Sequence, residues 1–284
     1  MKLKKIIPVR IKIYIKSTIK SFKLITHKLL EKKISRLNLV DTFPSFRPAS
    51  PGSYKMYEDS IITNINSTLQ TLSSISLKSK VLDIISVGDL AYSNKEAARL
   101  DKLFQKYNSD KSTMHDYHKI YAHYIHNNKT FTLIEIGIGT NNTDVISNMS
   151  KYGSPGASLY AFSEAYPNSK IIGCDIDRRI LFNTDNIKTF FLDQNNYSTF
   201  SVLSQYKNKV DFIIDDGLHS QNANLNSMLF ALESLKVGGV LFIEDIPEYS
   251  LDVWHIANNL LPSNFEFQMI KAKTYFCGVM KRIN

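Results

Sequence analysis

The feature that most constrains this chain is a series of apolar runs, each ending on an acidic or polar tip. Val210 to Ile214, broken only by Asp211, runs into Asp215-Asp216-Gly217-Leu218-His219, and Val240 to Ile243 runs into Glu244-Asp245. Short continuous apolar runs of this kind read as buried parallel strands. Parallel strands need crossovers, so the pattern predicts an α/β sheet covered by helices on both faces. Ligands of open α/β sheets collect outside the carboxyl ends of the strands. Two neighbouring tips would bring up to four carboxylates and one imidazole into a single crevice. Carboxylates so close repel unless a cation sits between them. These residues alone leave two readings open: a hard divalent metal beside a histidine base, or a set of helix caps and turn residues.

Further tips lie upstream. Thr132 to Ile136 is a strand running into Gly137-Ile138-Gly139-Thr140, with Glu135 just before the glycines. Glycines there let backbone approach a ligand closely, because no Cβ stands in the way. The third glycine of the dinucleotide fingerprint is missing, which disfavours a nicotinamide oxidoreductase. Lys170 to Cys174 ends on Asp175, an acid placed to accept hydrogen bonds from ribose hydroxyls. Thr189 to Leu192 ends on Asp193-Gln194, a carboxylate and an amide that suit a purine edge. His219, three residues after Asp216 on a glycine turn, is expected to be a general base, since its ordinary pKa lies near working pH. Oxygen ligands favour Mg²⁺, or Mn²⁺ in its place, over zinc. The two cysteines, Cys174 and Cys277, form no zinc pattern and no disulfide framework, so a reducing, cytoplasmic setting is expected.

Taken together, these pieces resemble class I S-adenosylmethionine-dependent methyltransferases, and more narrowly the metal-dependent sugar O-methyltransferases typified by the macrocin and mycinamicin enzymes. The resemblance rests on Glu135 to Gly139, Pro155 to Leu159, Ile172 to Asp177, Leu192 to Gln194, Asp215 to His219 and Ile243 to Asp245. Asn108 to Lys111 and His115 to Tyr117 are similar to the segment that opens the catalytic domain in that family. The resemblance implies a Rossmann-like, mostly parallel seven-stranded sheet with an N-terminal helical extension. It implies that Glu135, Gly137, Gly139 and Ser158 line the methionine part of S-adenosylmethionine, that Asp175 holds the ribose, and that Asp193 and Gln194 hold the adenine. It further implies Mg²⁺ on Asp216, Glu244 and Asp245, with Asp216 also beside the cofactor, and His219 as the catalytic base toward a sugar hydroxyl. Pro247-Glu248-Tyr249 and Leu218 depart from the small polar residues and the serine common at those places in the family. A catechol-like or other small-molecule hydroxyl is the alternative acceptor, and a non-catalytic protein docked at a membrane is the alternative from another class.

The resemblance begins near residue 104, which divides the chain into an arm (1–40), a linker and helical extension (41–103) and a catalytic domain (104–284). Of the 35 basic and 26 acidic side chains, 12 and one fall within residues 1–36, leaving 23 and 25 for the rest. The net charge of +9 therefore belongs to the arm. Ile15, Ile19, Phe22, Ile25, Leu29 and Leu30 recur at helical spacing among lysines. Those lysines interrupt every apolar run, which excludes a transmembrane span and a secretory leader. The arm reads either as an amphipathic helix on anionic lipid or as a helix that packs on the domain or on a second subunit. Nucleic acid is not expected, because aromatics do not interleave with the basic residues. Phe43 to Gly52 is a turn-rich linker, Asn94 to Tyr107 reads as a helix, and Tyr117, Tyr121 and Tyr124 read as core. Asp110 and Lys111 are either site contacts or a helix cap, and residues 141–154 are either a lid or a passive insertion. Phe265 to Gln268 and Thr274 to Met280 read as an antiparallel edge pair. The Lys, Asn and Ile bias reads as an AT-rich bacterial genome.

Overall fold

The computed structural model of the protein describes residues 69–125, 130–149 and 153–284. Contacts divide the chain into Met1–Ile62 and Thr63–Asn284, and every described residue belongs to the second unit. The basic arm and the turn-rich linker lie outside the described residues. No helix among the described residues is long and apolar enough to cross a membrane.

The apolar runs form the expected strands: β2 (Thr132–Ile136), β3 (Lys170–Asp175), β4 (Ile187–Phe191), β5 (Val210–Asp215) and β6 (Leu235–Ile246). A short β1 (Asp83–Ser86) precedes them, and β7 (Phe265–Lys271) and β8 (Phe276–Arg282) follow. All eight join one sheet in the order β1-β7-β8-β6-β5-β2-β3-β4. Only β8 runs against its neighbours, pairing antiparallel with β6 and β7. The count exceeds the expected seven by β1, which pairs in parallel with β7. The β7–β8 pair is therefore antiparallel as expected, but β1 and not β7 forms the sheet edge. Four residues, Asp-Ile-Ile-Ser, are too few to stand out as a strand in sequence.

Helices cover both faces. One face carries α1 (Asn94–Lys106), the four-residue α2 (Asp110–Thr113), α3 (Tyr117–Ile125) and α4 (Ala157–Ala165). Here Leu100, Phe104, Tyr121 and Phe162 pack on Leu133, Phe212 and Phe242. The other face carries α5 (Gln221–Ser234) and α6 (Leu251–Leu260), where Met228, Phe230 and Trp254 join Ile134, Ile213 and Leu241. α1 starts at the Ser93 hydroxyl, which accepts from the Glu96 amide at 3.3 Å, and α5 starts at Ser220 in the same way. β1 and most of α1 lie upstream of residue 104 yet belong to this sheet and this core.

Alternation along the strands decides which acid faces which layer. Phe212 and Ile214 of β5 point to the α1–α4 face while Ile213 points to the α5–α6 face. Asp215 follows Ile213, and its carboxylate is bonded by Asn224 of α5 at 3.0 Å. In β6, Val240 and Phe242 share the α1–α4 face, and Glu244 continues that parity. The chain leaves β2 in both directions across the sheet, to β3 on one side and β5 on the other. That reversal opens the crevice at the strand tips.

Candidate active site

A cavity of about 860 Å³ opens over the tips of β2, β3, β4 and β5, a size within the range of small-molecule sites. Its floor is the glycine turn. Gly137 and Gly139 have φ of +83° and +80°, which L side chains rarely adopt. The Gly137 amide donates to Cys174 O at 2.8 Å, and the Ile138 amide donates to the Asp175 carboxylate at 3.0 Å. Asp175 also accepts from the Asp177 amide at 2.8 Å. Burial raises the Asp175 pKa, against these main-chain donors. Asp175 thus ties the tip of β3 to the turn, and it lines the cavity.

At the far end Asp193 lines the cavity, its carboxylate accepting from the Asn195 amide at 3.0 Å. Gln194 lines the cavity too, and its side-chain amide is hydrogen-bonded within the fold. Its Nε2 donates to Asp215 at 2.6 Å and to the Ser227 hydroxyl at 3.0 Å, and its Oε1 accepts from the Leu218 amide at 2.9 Å. With both of its amide donors engaged, Gln194 braces the turn that carries His219. Residues 144–149 also line the cavity. Asp144 pairs with Arg179 through two bonds, at 3.1 and 2.8 Å, and the Ser147 hydroxyl donates to Gly217 O at 3.0 Å.

The acids meet at the other end. Asp216, His219 and Asp245 each offer one ligand atom within 4.8 Å of the others. His219 Nε2 stands 3.7 Å from Asp216 and 3.8 Å from Asp245. Both His219 and Asp245 have positive φ, +55° in each case, a conformation that costs energy and clusters at functional sites. For Asp245 this twist, with the register shift between Ile243 and Ile246, breaks the strand alternation and turns its carboxylate toward Asp216. Tyr117 holds it there: the phenol donates to Asp245 Oδ1 at 2.7 Å and accepts from the Asp245 amide at 3.0 Å.

Glu244, expected beside Asp216 and Asp245 as a ligand, is bonded through one oxygen by Lys111 of α2. The Lys111 ammonium lies 2.5 Å from Asp216, 2.7 Å from Glu244 and 3.2 Å from Glu135. Glu135 in turn accepts from the Ser158 hydroxyl at 2.7 Å. Burial opposes the charge on Lys111, yet Asp216, Glu244 and Glu135 together raise its pKa well above the ordinary lysine range. The same burial raises Glu135 and Asp216 and pushes Glu244 up to about 7, against the ammonium. One cation is too little for three desolvated acids. A divalent cation fits the donor set, because the second Glu244 oxygen is buried without a hydrogen-bond partner and Asp216, His219 and Asp245 already converge.

In the sequence Lys111 reads as either a contact or a cap, and Tyr117 as core. Tyr117 is fully buried, and it also bonds Asp245. The motifs that hold both residues are in the sequence, but their pairing with these carboxylates is not, since a lysine at a helix start is ordinarily solvated.

The raised Glu244 value has a measurable consequence. An acid that binds its proton more tightly when folded stabilises the fold below its unfolded value and loses that contribution as pH rises through the folded one. Metal-free protein should therefore lose stability between pH 4.5 and about 7, by on the order of 3 kcal/mol from this group. Urea midpoints of wild type and Glu244→Gln across that range isolate the contribution. A wild-type curve parallel to that of the variant would contradict it.

No protein-family model matches the chain, and no curated protein matches it by sequence. Solved structures do match. MycE methyltransferase from the mycinamycin biosynthetic pathway, in complex with Mg, SAH and mycinamycin VI, is 20% identical with a TM-score of 0.51, over 66% of this chain and 55% of that one. A MycE crystal form with Mg and SAH is 19% identical with a TM-score of 0.49, over the same shares of 66% and 55%. A methyltransferase from Geobacter sulfurreducens is 12% identical with a TM-score of 0.42, over 69% of this chain and 93% of that one. The chain spans about half the length of the MycE chains it matches. Its mostly parallel sheet between helix layers shares the Rossmann-like fold of the MycE methyltransferase.

Proposed function

We propose that the protein is an S-adenosylmethionine-dependent O-methyltransferase that uses a divalent cation, Mg²⁺ or Mn²⁺, and acts on a sugar hydroxyl. The observation that carries this reading is the placement of Asp216, His219 and Asp245 at one end of a single cavity floored by the Gly137–Gly139 turn. The sugar comes from the motif resemblance, supported by a matched MycE structure that holds Mg, SAH and mycinamycin VI together.

In this reading Glu135, the glycine turn and Ser158 line the methionine part of the donor, Asp175 receives the ribose hydroxyls, and Asp193 with Gln194 receives the adenine edge. Gln194 also holds the turn after β5. Asp216 and Asp245 would hold the cation, with the unpartnered oxygen of Glu244 beside them. When bound, the sulfonium donor supplies the methyl group and the cation acidifies the acceptor hydroxyl. His219 Nε2 takes that hydroxyl proton, and the carboxylates of Asp216 and Asp245, at 3.7 and 3.8 Å, stabilise the resulting imidazolium. The Tyr117 bonds keep Asp245 in its twisted conformation through the cycle. Fixing both reactants at attack distance supplies much of the acceleration.

Calorimetric titration of S-adenosylmethionine into full-length protein, with Mg²⁺ and then with EDTA, tests the reading. Micromolar-range binding that weakens on chelation is the expected result. No binding under either condition would remove the methyltransferase assignment.

A further inference from the structure

Lys111 is a deeply buried charged side chain to which the proposed chemistry gives no task. Its side chain is 2% exposed, and its three ammonium donors face three carboxylates from three different strand tips: Glu135 of β2, Asp216 after β5 and Glu244 of β6. Strand parity puts all three acids on the α1–α4 face, and α2 delivers the lysine from that same face. With Asp245, which joins Asp216 and His219, the cluster sets four carboxyl groups against one ammonium, a surplus of three negative charges when every acid is ionised. A surplus of that size in a partly desolvated site attracts a second, more highly charged cation and also strains the empty fold.

We propose that Lys111 is the resident cation of this cluster: it holds Glu135, Asp216 and Glu244 in position before a divalent ion arrives and, by sharing Asp216 with that ion, limits how tightly the ion binds. The inference rests on the metal-dependent reading above. Asp216 is the shared element, since one of its oxygens is 2.5 Å from the ammonium while the other faces His219. The ammonium repels a divalent ion through the same carboxylate that attracts it. Affinity is thereby held to a level at which the ion exchanges, while the ion pairs keep the site assembled without it. Lys111 is a positioning residue, acting on the metal through Asp216 and Glu244.

Full-length wild type, Lys111→Met and the double variant Lys111→Met/Glu244→Gln are titrated with manganese(II) chloride, and Tm is read in EDTA and in Mn²⁺. The methionine keeps the stem and removes the charge. Lys111→Met is expected to bind Mn²⁺ about tenfold more tightly than wild type, and to gain more in Tm from the ion. The double variant, which restores the net charge, is expected to return to within about threefold of wild type. Equal or weaker binding by Lys111→Met than by wild type, with an equal Tm gain, overturns the proposal and leaves the metal reading standing. Absence of Mn²⁺ binding by wild type overturns that reading and the proposal with it. If Lys111→Met folds under neither condition, the double variant decides. Affinity within about threefold of wild type supports the proposal, and a greater loss overturns it, because a lysine without influence on the metal could not compensate the missing carboxylate.

Discussion

Replacing Asp216 with asparagine is expected to lower methyl transfer by at least about a thousandfold while leaving the fold intact. Three separate functions converge on this carboxylate. It faces His219 Nε2 at 3.7 Å, pairs with Lys111 at 2.5 Å, and belongs to the trio whose ligand atoms lie within 4.8 Å. Asparagine keeps the shape and one oxygen but loses the charge that would hold a cation and stabilise a protonated imidazole. The main chain is unaffected, since the Asp216 amide still donates to Ile136 O at 2.8 Å and fixes the turn. The burial that raises the Asp216 pKa also makes its neutral replacement tolerable to folding. The check is a methyl-transfer assay beside a thermal melt. Turnover within about tenfold of wild type would remove Asp216 from the reaction. Loss of the melt would instead mark it as a structural residue.

The second large effect concerns stability. Gly137→Ala is expected to cost about 3–5 kcal/mol, enough to leave little folded protein. A Cβ at Gly137 would overlap the Asp216 carbonyl oxygen and Gly217 Cα, both backbone atoms of the adjacent strand tip. Neither can retreat, because the Asp216 amide is bonded to β2 and the Leu218 amide to Gln194. The positive φ adds its own penalty. Gly238 separates the two terms, since it has the same φ of +83° with nothing within 4 Å of an added Cβ. Gly238→Ala should therefore cost only about 1–2 kcal/mol. Urea midpoints of the two variants measure the difference. Equal losses would show that conformation alone, without the close approach of the two tips, requires glycine at 137.

How much of this was legible beforehand follows from what local sequence can encode. Apolar runs of β-branched and aromatic residues report strands because burial on both faces is a local property of each run. Polar tips report the crevice, because strand ends in such sheets converge on one edge. The strands β2 to β6 and the convergence of Asp216, His219 and Asp245 were therefore readable. Alternation along β5 and β6 even separates Asp215, which bonds α5, from Asp216 and Glu244 on the opposite face.

Other features depend on contacts between residues far apart in the chain. Lys111 reaches Glu244 across 133 positions, and Tyr117 reaches Asp245 across 128. Nothing near either residue in sequence signals the partner. Gln194 reads as a polar strand tip, and only the fold shows that its amide bonds Asp215, Ser227 and Leu218. β1 forms part of the sheet only because β7 offers it an edge. The sequence by itself determined the fold class and the edge of the sheet where chemistry collects, since periodicity and strand-tip composition are carried residue by residue. Tertiary structure alone decided which carboxylates face the cavity, which are neutralised by a lysine and which amides are spent on the turn. Those outcomes depend on burial and pairing, and both are set by whatever the folded chain brings within a few ångströms.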